Sequence, residues 1–568
     1  MKKIFILSFI ICSAFSLTAQ NNKPKWLNSV AKAIFTIEST SKEGVKKTGN
    51  GFFVTENGEA VSSYEVFINA ENAVVITSDG ERLQITQILG ADDMYGVIRF
   101  SVSVTKKTSF LPVAKILPEV NTISYLPPSQ ENKDLVYGVV SDISKFKSEY
   151  NYYRIELALP ASQNGFPLLN EAGEVFALSQ PDASGKGKTY GVALSYIQSL
   201  QATATDMFNK TYTNIGIRKG WSSDISDAQI SLLLLASQQD PETFLETLNN
   251  FVNMFPNNPE GYHNRASHYV NYRQQLSSTE AEQLKMLDLA WSDLESMEKY
   301  SEDKGDAYYN RAELIFGVIT NDSTLQNSKW NNKSLEEYLQ KAIARQDRPE
   351  YRKLEGDIAF NNRNFEKAYN LYSIVNKTPV ASGFTFYLAA KSLQQVSGHN
   401  PIEVITLLDS ATYYSTVNEA EVYILENVEL KMQAGLYTQA VGDYNLFYKI
   451  TGGKVTGEFF YLREQAKFRS NDYEGALTDI NIAIEMDESN ALYLAEKASV
   501  YLRLTEFGKA QESIEKAIEV QPEFASAYRI LGICLVRQDK KTEACKQFDK
   551  AKELGDPVVE RLIKENCN

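Results

Sequence analysis

Gly51-Phe52-Phe53-Val54-Thr55-Glu56-Asn57-Gly58-Glu59-Ala60-Val61-Ser62 reads as an apolar strand, an Asn-Gly turn and a second strand. Asn-Gly tolerates the left-handed backbone that a tight hairpin needs. The pattern recurs in Ala73-Val74-Val75-Ile76, Asp79-Gly80 and Leu83-Gln84-Ile85. It appears again in Leu168-Leu169, Ala172-Gly173 and Val175-Phe176-Ala177-Leu178. Many short strands with regular turns over residues 24–215 imply an all-β sandwich or barrel.

From about residue 216 the period changes. Ala476, Ala510 and Ala544 are spaced by 34 residues. Ile480, Ile514 and Phe548 follow each by four, then Ala483, Ala517 and Ala551 by three more. That is one helix face repeated. A preceding helix supplies Phe460, Leu494 and Tyr528, then Glu464, Ala498 and Gly532, small residues where two helices approach closely. The period and pattern over 457–556 resemble tetratricopeptide repeats. Looser units are marked by Tyr262-His263-Asn264-Arg265-Ala266, Tyr308-Tyr309-Asn310-Arg311-Ala312, Gly356 with Ala368 and Tyr372, and Ala440 with Tyr444. Residues 216–568 are expected to form an all-α superhelix of eight or nine helical hairpins, with insertions at 274–286 and 318–333.

The N-terminal strands carry a second resemblance. Gly49, Gly51-Phe52-Phe53-Val54, the hairpin, then Val61-Ser62-Ser63-Tyr64-Glu65-Val66-Phe67 are similar to the start of a trypsin-like serine protease domain of the HtrA-like branch. Ala91-Asp92-Asp93-Met94-Tyr95-Gly96-Val97-Ile98, Gly138-Val139-Val140-Ser141 and Ser162-Gln163-Asn164-Gly165-Phe166-Pro167-Leu168 continue it. The resemblance implies a double β-barrel over 24–215 and places a Ser-His-Asp triad at three positions. Here those positions hold Glu65, Gly96 and Asn164. All three histidines, His263, His268 and His399, lie in the helical region. An amide is no nucleophile, and glycine cannot orient a base. Asp93 lies three residues from the Gly96 position, and Ser162 is two residues off the nucleophile position. The expectation is a domain that is not an enzyme. Glu65 and Asn164 either occupy a vacated cleft or bind a peptide or a cation there. The rival expectation is a serine endopeptidase with a relocated catalytic group whose repeats recruit substrate.

The rest of the sequence bounds these readings. The 568 residues are 43% hydrophobic and 23% charged, enough for two large cores. A formal net charge of -14 disfavours nucleic acid and anionic membrane partners. Residues 1–20 read as a signal peptide, with Lys2-Lys3, an apolar run from Ile4 to Leu17, and Ala19-Gln20 as the cleavage region. An exported protein of a Gram-negative periplasm or exterior is therefore expected, without membrane insertion. Cys545 lies in the last repeat, and Gly555-Asp556-Pro557 turns the chain into a final helix ending near Cys567. The two cysteines lie about equally far from that turn, so a hairpin pairs them and leaves Cys534 a buried thiol. His263 and His268 are off one helical face, and no phosphate loop, zinc spacing or dinucleotide fingerprint is present, so no cofactor or metal is expected. The implied role is protein–protein interaction, with a peptide or protein partner in the groove of the repeats. A sugar-binding module rests only on 32 tyrosines, which repeat packing accounts for.

Overall fold

The computed structural model describes residues 24–129, 134–159, 161–182, 187–321 and 327–567. The signal-peptide reading of residues 1–20 lies outside the described residues. Two closed six-stranded barrels come first. The first comprises β1 (Ile34–Ser41), β2 (Lys46–Phe53), β3 (Glu59–Ser63), β4 (Ala70–Ile76), β5 (Arg82–Asp92) and β6 (Val97–Val102), in the order β1-β2-β3-β6-β5-β4. The second comprises β7 (Ile123–Leu126), β8 (Val136–Phe146), β9 (Tyr150–Glu156), β10 (Pro167–Leu169), β11 (Val175–Pro181) and β12 (Thr189–Ala193), in the order β10-β11-β12-β9-β8-β7. This is the trypsin-like double barrel.

The barrels follow from side-chain alternation. In β1 every second residue turns inward, so Phe35 and Ile37 are buried while Thr36 and Glu38 are less so. The hairpin at Asn57-Gly58 sets Phe52 opposite Val61 and Phe53 opposite Ala60. Phe35, Ile37, Phe53, Phe67, Val75 and Phe100 fill the first barrel. Val140, Tyr153, Ile155, Leu168 and Phe176 fill the second.

Helices then take over, from Ile225–Ala236 to Val559–Asn566. The chain divides into two compact units between Asp293 and Leu294. The first unit thus extends past the change from strand to helix. Polar ties explain this: the Gly220 amide donates to Ile88 O at 2.7 Å, and the Ala204 amide to the Asp227 carboxylate at 3.2 Å.

The second unit is a run of packed helix pairs. Lys304–Asn321 pairs with Asn332–Arg345, and the pattern continues to Ala525–Arg537 with Lys541–Glu553. Ala476, Ala510 and Ala544, with Ile480, Ile514, Phe548, Ala483, Ala517 and Ala551, are all wholly buried. The 34-residue stripe is the core face. The expected insertion at 274–286 is instead helix: Pro259–Leu276 and Glu280–Tyr300 leave only a short turn between them. Over 318–333 the first helix runs to Asn321 and the next begins at Asn332, so the expected insertion is partly helix there too.

Candidate functional site

The three positions to which the resemblance assigns a triad lie along the seam between the barrels. Glu65 sits on a single 3-10 turn, Tyr64–Phe67, directly after β3. Its neighbours Tyr64, Val66 and Phe67 are buried, and Glu65 points to solvent. The turn is held firmly. The Tyr64 amide donates to Gly96 O at 3.0 Å, and the Tyr64 hydroxyl donates to Thr211 O at 2.7 Å.

Gly96 therefore lies beside that turn, at φ +61°. A Cβ on Gly96 would stand 3.1 Å from Nε2 of Gln180, a residue of β11 in the other barrel. The Gln180 amide donates to Tyr95 O at 2.5 Å and accepts from the Tyr152 hydroxyl at 3.3 Å. Where the resemblance asks for an orienting carboxylate, a neutral amide from across the seam fills the space.

Asn164 follows a short 3-10 turn and docks on the first barrel. Its Nδ2 donates to Ser63 Oγ at 3.3 Å, and its Oδ1 is buried with no partner among the described residues. Asn50 of β2 holds the segment, donating from Nδ2 to Ser162 O at 2.7 Å and Asn164 O at 3.3 Å. Gln163 is 1% exposed, and neither of its side-chain amide atoms has a partner among the described residues. The Asn164 side chain thus meets Ser63, two residues before Glu65, and Glu65 itself forms no side-chain hydrogen bond or ion pair among the described residues.

A carboxylate the sequence reading passed over is Asp92. It accepts from Lys147 Nζ at 2.8 Å, from the Tyr95 amide at 3.0 Å and from the Tyr196 hydroxyl. Burial alone would raise its pKa, but the hydrogen bonds from Lys147 and Tyr196 outweigh burial and hold it below the usual range. Burial and the adjacent Asp92 push the Tyr196 phenol up to about 12. Lys147 also lies 5.0 Å over the Tyr196 ring, so this cluster locks the end of β5 to the β8–β9 turn. Asp93, the neighbour weighed from sequence, is exposed.

Among the helices, Ile225–Ala236, Pro241–Met254 and Pro259–Leu276 enclose a cleft of about 680 Å³. Ile230 and Leu233 line it and remain exposed. His268 belongs to its wall, donating from Nε2 to Pro241 O at 2.8 Å between Phe244 and Tyr272. Burial lowers the His268 pKa, which favours the neutral ring. Among the described residues no group of three metal-ligating side chains occurs, and no helix there is long and apolar enough to cross a membrane.

In the second unit, the Sγ atoms of Cys545 and Cys567 are at bonding distance with Cα atoms 5.7 Å apart. Cys534 is buried, and burial pushes its thiol up to about 12.

These features define a tetratricopeptide-repeat protein with an HtrA-like domain. The tetratricopeptide repeat model matches residues 495–557. The chain is 24% identical across 180 residues, 30% of its length, to a Rhizobium meliloti protein named as a DegP-like periplasmic serine endoprotease. It is 27% identical across 179 residues, 29% of its length, to HhoB of Synechocystis sp., named as a serine protease. The small glutamine-rich tetratricopeptide repeat-containing protein 2 of Saccharomyces cerevisiae is 27% identical across 113 residues, 20% of this chain. The matches span 35%, 41% and 33% of those relatives, respectively.

Proposed function

We propose that this is an exported interaction scaffold in which the repeats hold a protein or peptide partner and the HtrA-like domain does not cleave it. The observation that carries this reading is the seam between the barrels. Glu65 faces solvent, the Gln180 amide stands against Gly96, and Asn164 rests on Ser63. Hydrolysis through a serine needs an activated hydroxyl, a base within hydrogen-bond reach and a group to orient it. The residues at these three places supply none of those roles together.

The barrel domain then serves as a second binding surface or as a structural module beside the repeats. Export accords with the basic and apolar leader at residues 1–20 and with the periplasmic name of the Rhizobium relative. In an oxidising compartment Cys545 and Cys567 form a disulfide.

A fluorophosphonate probe tests the chemistry. The mature protein should not label. Labelling that disappears when one serine is replaced overturns the reading in favour of a relocated peptidase. Affinity capture from the native envelope fraction, repeated with the barrels or the helical region alone, tests the scaffold role. Retention of full affinity by the barrels alone makes the helical region a spacer.

A further inference from the structure

Adjacent first helices of the repeats meet through tyrosine pairs. Tyr387, on helix Gly383–Gln394, lies against Tyr423, on helix Val417–Gln433, with ring centroids 4.7 Å apart. Tyr461, on helix Gly457–Arg469, lies against Tyr493, on helix Ala491–Arg503, at 5.4 Å. In each pair the first ring is half-buried and the second buried.

The two pairs share a frame and differ in one residue. Four positions after Tyr387 comes Lys391, and three after Tyr423 comes Glu426. The Lys391 ammonium bonds Glu426 at 2.8 Å and lies 5.8 Å from the Tyr387 ring centre. An aromatic face and a carboxylate together hold a cation there. In the second pair the equivalent positions are Gln465 and Glu496. The carboxylate is kept and the ammonium is replaced by a neutral amide.

The Gln465 amide bonds both Glu496 and Glu464 but brings no charge to them. Among the described residues no ion pair is made by Glu496 and no cation lies over Tyr461 or Tyr493. A second carboxylate, Glu464, is wholly buried, and its Oε1 has no partner among the described residues. Its Oε2 accepts from Gln465 Nε2 at 2.7 Å. The charged groups facing Glu464 are Glu496, Asp479 and Arg469, and those facing Glu496 are Arg469 and Arg529. Asp479 is already neutralised by Arg463 and Lys467. Burial, with the Glu496 charge second, pushes Glu464 up to about 8, and burial also raises Glu496.

We propose that the seat formed by Tyr461, Tyr493 and Glu496, backed by Glu464, receives a lysine or arginine side chain from an extended segment of the partner protein. This rests on the scaffold reading and names the chemistry of its ligand. The acidic balance of the chain, net -14, favours the same kind of partner.

The test uses the full-length mature protein and a fluorescent hexa-arginine peptide at physiological salt, with hexa-glutamate for comparison. Hexa-arginine should bind and hexa-glutamate should not. Gln465→Lys fills the seat from within and should weaken hexa-arginine binding tenfold or more, as should Glu496→Gln. Glu488→Gln, an exposed carboxylate with the same change in charge as Glu496→Gln, should stay within twofold of the parent. Lys391→Gln vacates the first seat and should strengthen binding. Unchanged affinity in Gln465→Lys, or an equal loss in Glu488→Gln, overturns the inference. Captured native partner separates the two readings. A partner that binds the helical region indifferently to Gln465→Lys sinks this inference alone. Seat-dependent hexa-arginine binding with no partner for the helical region sinks the scaffold reading alone.

Discussion

The side-chain amide of Asn164 donates to the hydroxyl of Ser63 across the seam between the barrels, at 3.3 Å. The bond joins the segment before β10 to the last residue of β3, with Asn50 bracing the same segment from β2. Ser63→Ala should destabilise the protein by about 1 kcal/mol, the usual net worth of one hydrogen bond. Chemical denaturation followed by tryptophan fluorescence measures it, and no loss would show that the contact holds nothing.

Reinstalling a carboxylate at Gly96 should be costly. The backbone there is left-handed, and a Cβ would press on Gln180 Nε2 at 3.1 Å. Gly96→Asp should destabilise by roughly 1–3 kcal/mol. Adding Gln180→Ala should recover the steric part and leave the backbone part. Equal stability of the single and double variants would show that Gln180 exerts no constraint.

Small residues in the repeats act oppositely at two places. A Cβ on Gly532 would overlap the ring of Phe548, whereas one on Gly508 would meet nothing within 4 Å. Gly532→Ala should destabilise by about 1–3 kcal/mol through overpacking. Gly508→Ala should stabilise by up to about 1 kcal/mol through helix propensity. Thermal melts of the two variants should shift in opposite directions.

Glu464 couples stability to pH. Its folded pKa, about 8, lies well above the ordinary carboxylate value of 4.5 because burial disfavours the carboxylate. The folded state therefore holds a proton that the unfolded state releases between pH 4.5 and 8. Its contribution is complete below pH 4.5, declines as pH rises through that window and is gone above the folded pKa. The span is on the order of a few kcal/mol. Glu464→Gln should match the parent near pH 5 and exceed it in stability near pH 8. Parallel stability profiles of parent and variant across this range would refute the assignment.

The covalent link in the second unit gives a last expectation. Cys545 and Cys567 are separated by 22 residues, and closing a loop of that size contributes roughly 3 kcal/mol. Reductant should lower the melting temperature of the parent and leave that of Cys567→Ser unchanged. Cys534 should resist alkylation until the protein unfolds, because burial pushes its thiol up to about 12. Peptide mapping that finds Cys534 bonded would contradict the pairing.

Local periodicity made much of the architecture legible. Phe52, Val61 and the Asn57-Gly58 turn announce a hairpin by themselves, and the Ala476, Ala510 and Ala544 stripe announces its own packing face. Asp92 stayed hidden because its partners Lys147 and Tyr196 are 55 and 104 residues away, so only the closed barrels bring them together. Gln180 was missed for the same reason. The supposed insertion at 274–286 is polar, which resembles a loop, yet Arg273, Gln274 and Gln275 are good helix formers and simply lengthen a helix. The difference between the two tyrosine pairs is not legible in the sequence, because the exchange of Lys391 for Gln465 has meaning only once the rings are paired in space.

Each repeat leans on its neighbours, and a terminal repeat has a neighbour on one side only. Ordinarily such an end is where an array begins to unzip. Here the last described helix, Val559–Asn566, is tethered to the helix before it through Cys567 and Cys545. With the bond formed, this helix cannot leave its neighbour by itself, and any loosening here must take the bridged pair together. With the bond reduced, only packing holds it. The redox state of the surroundings thus sets the size of the smallest piece that can come away here.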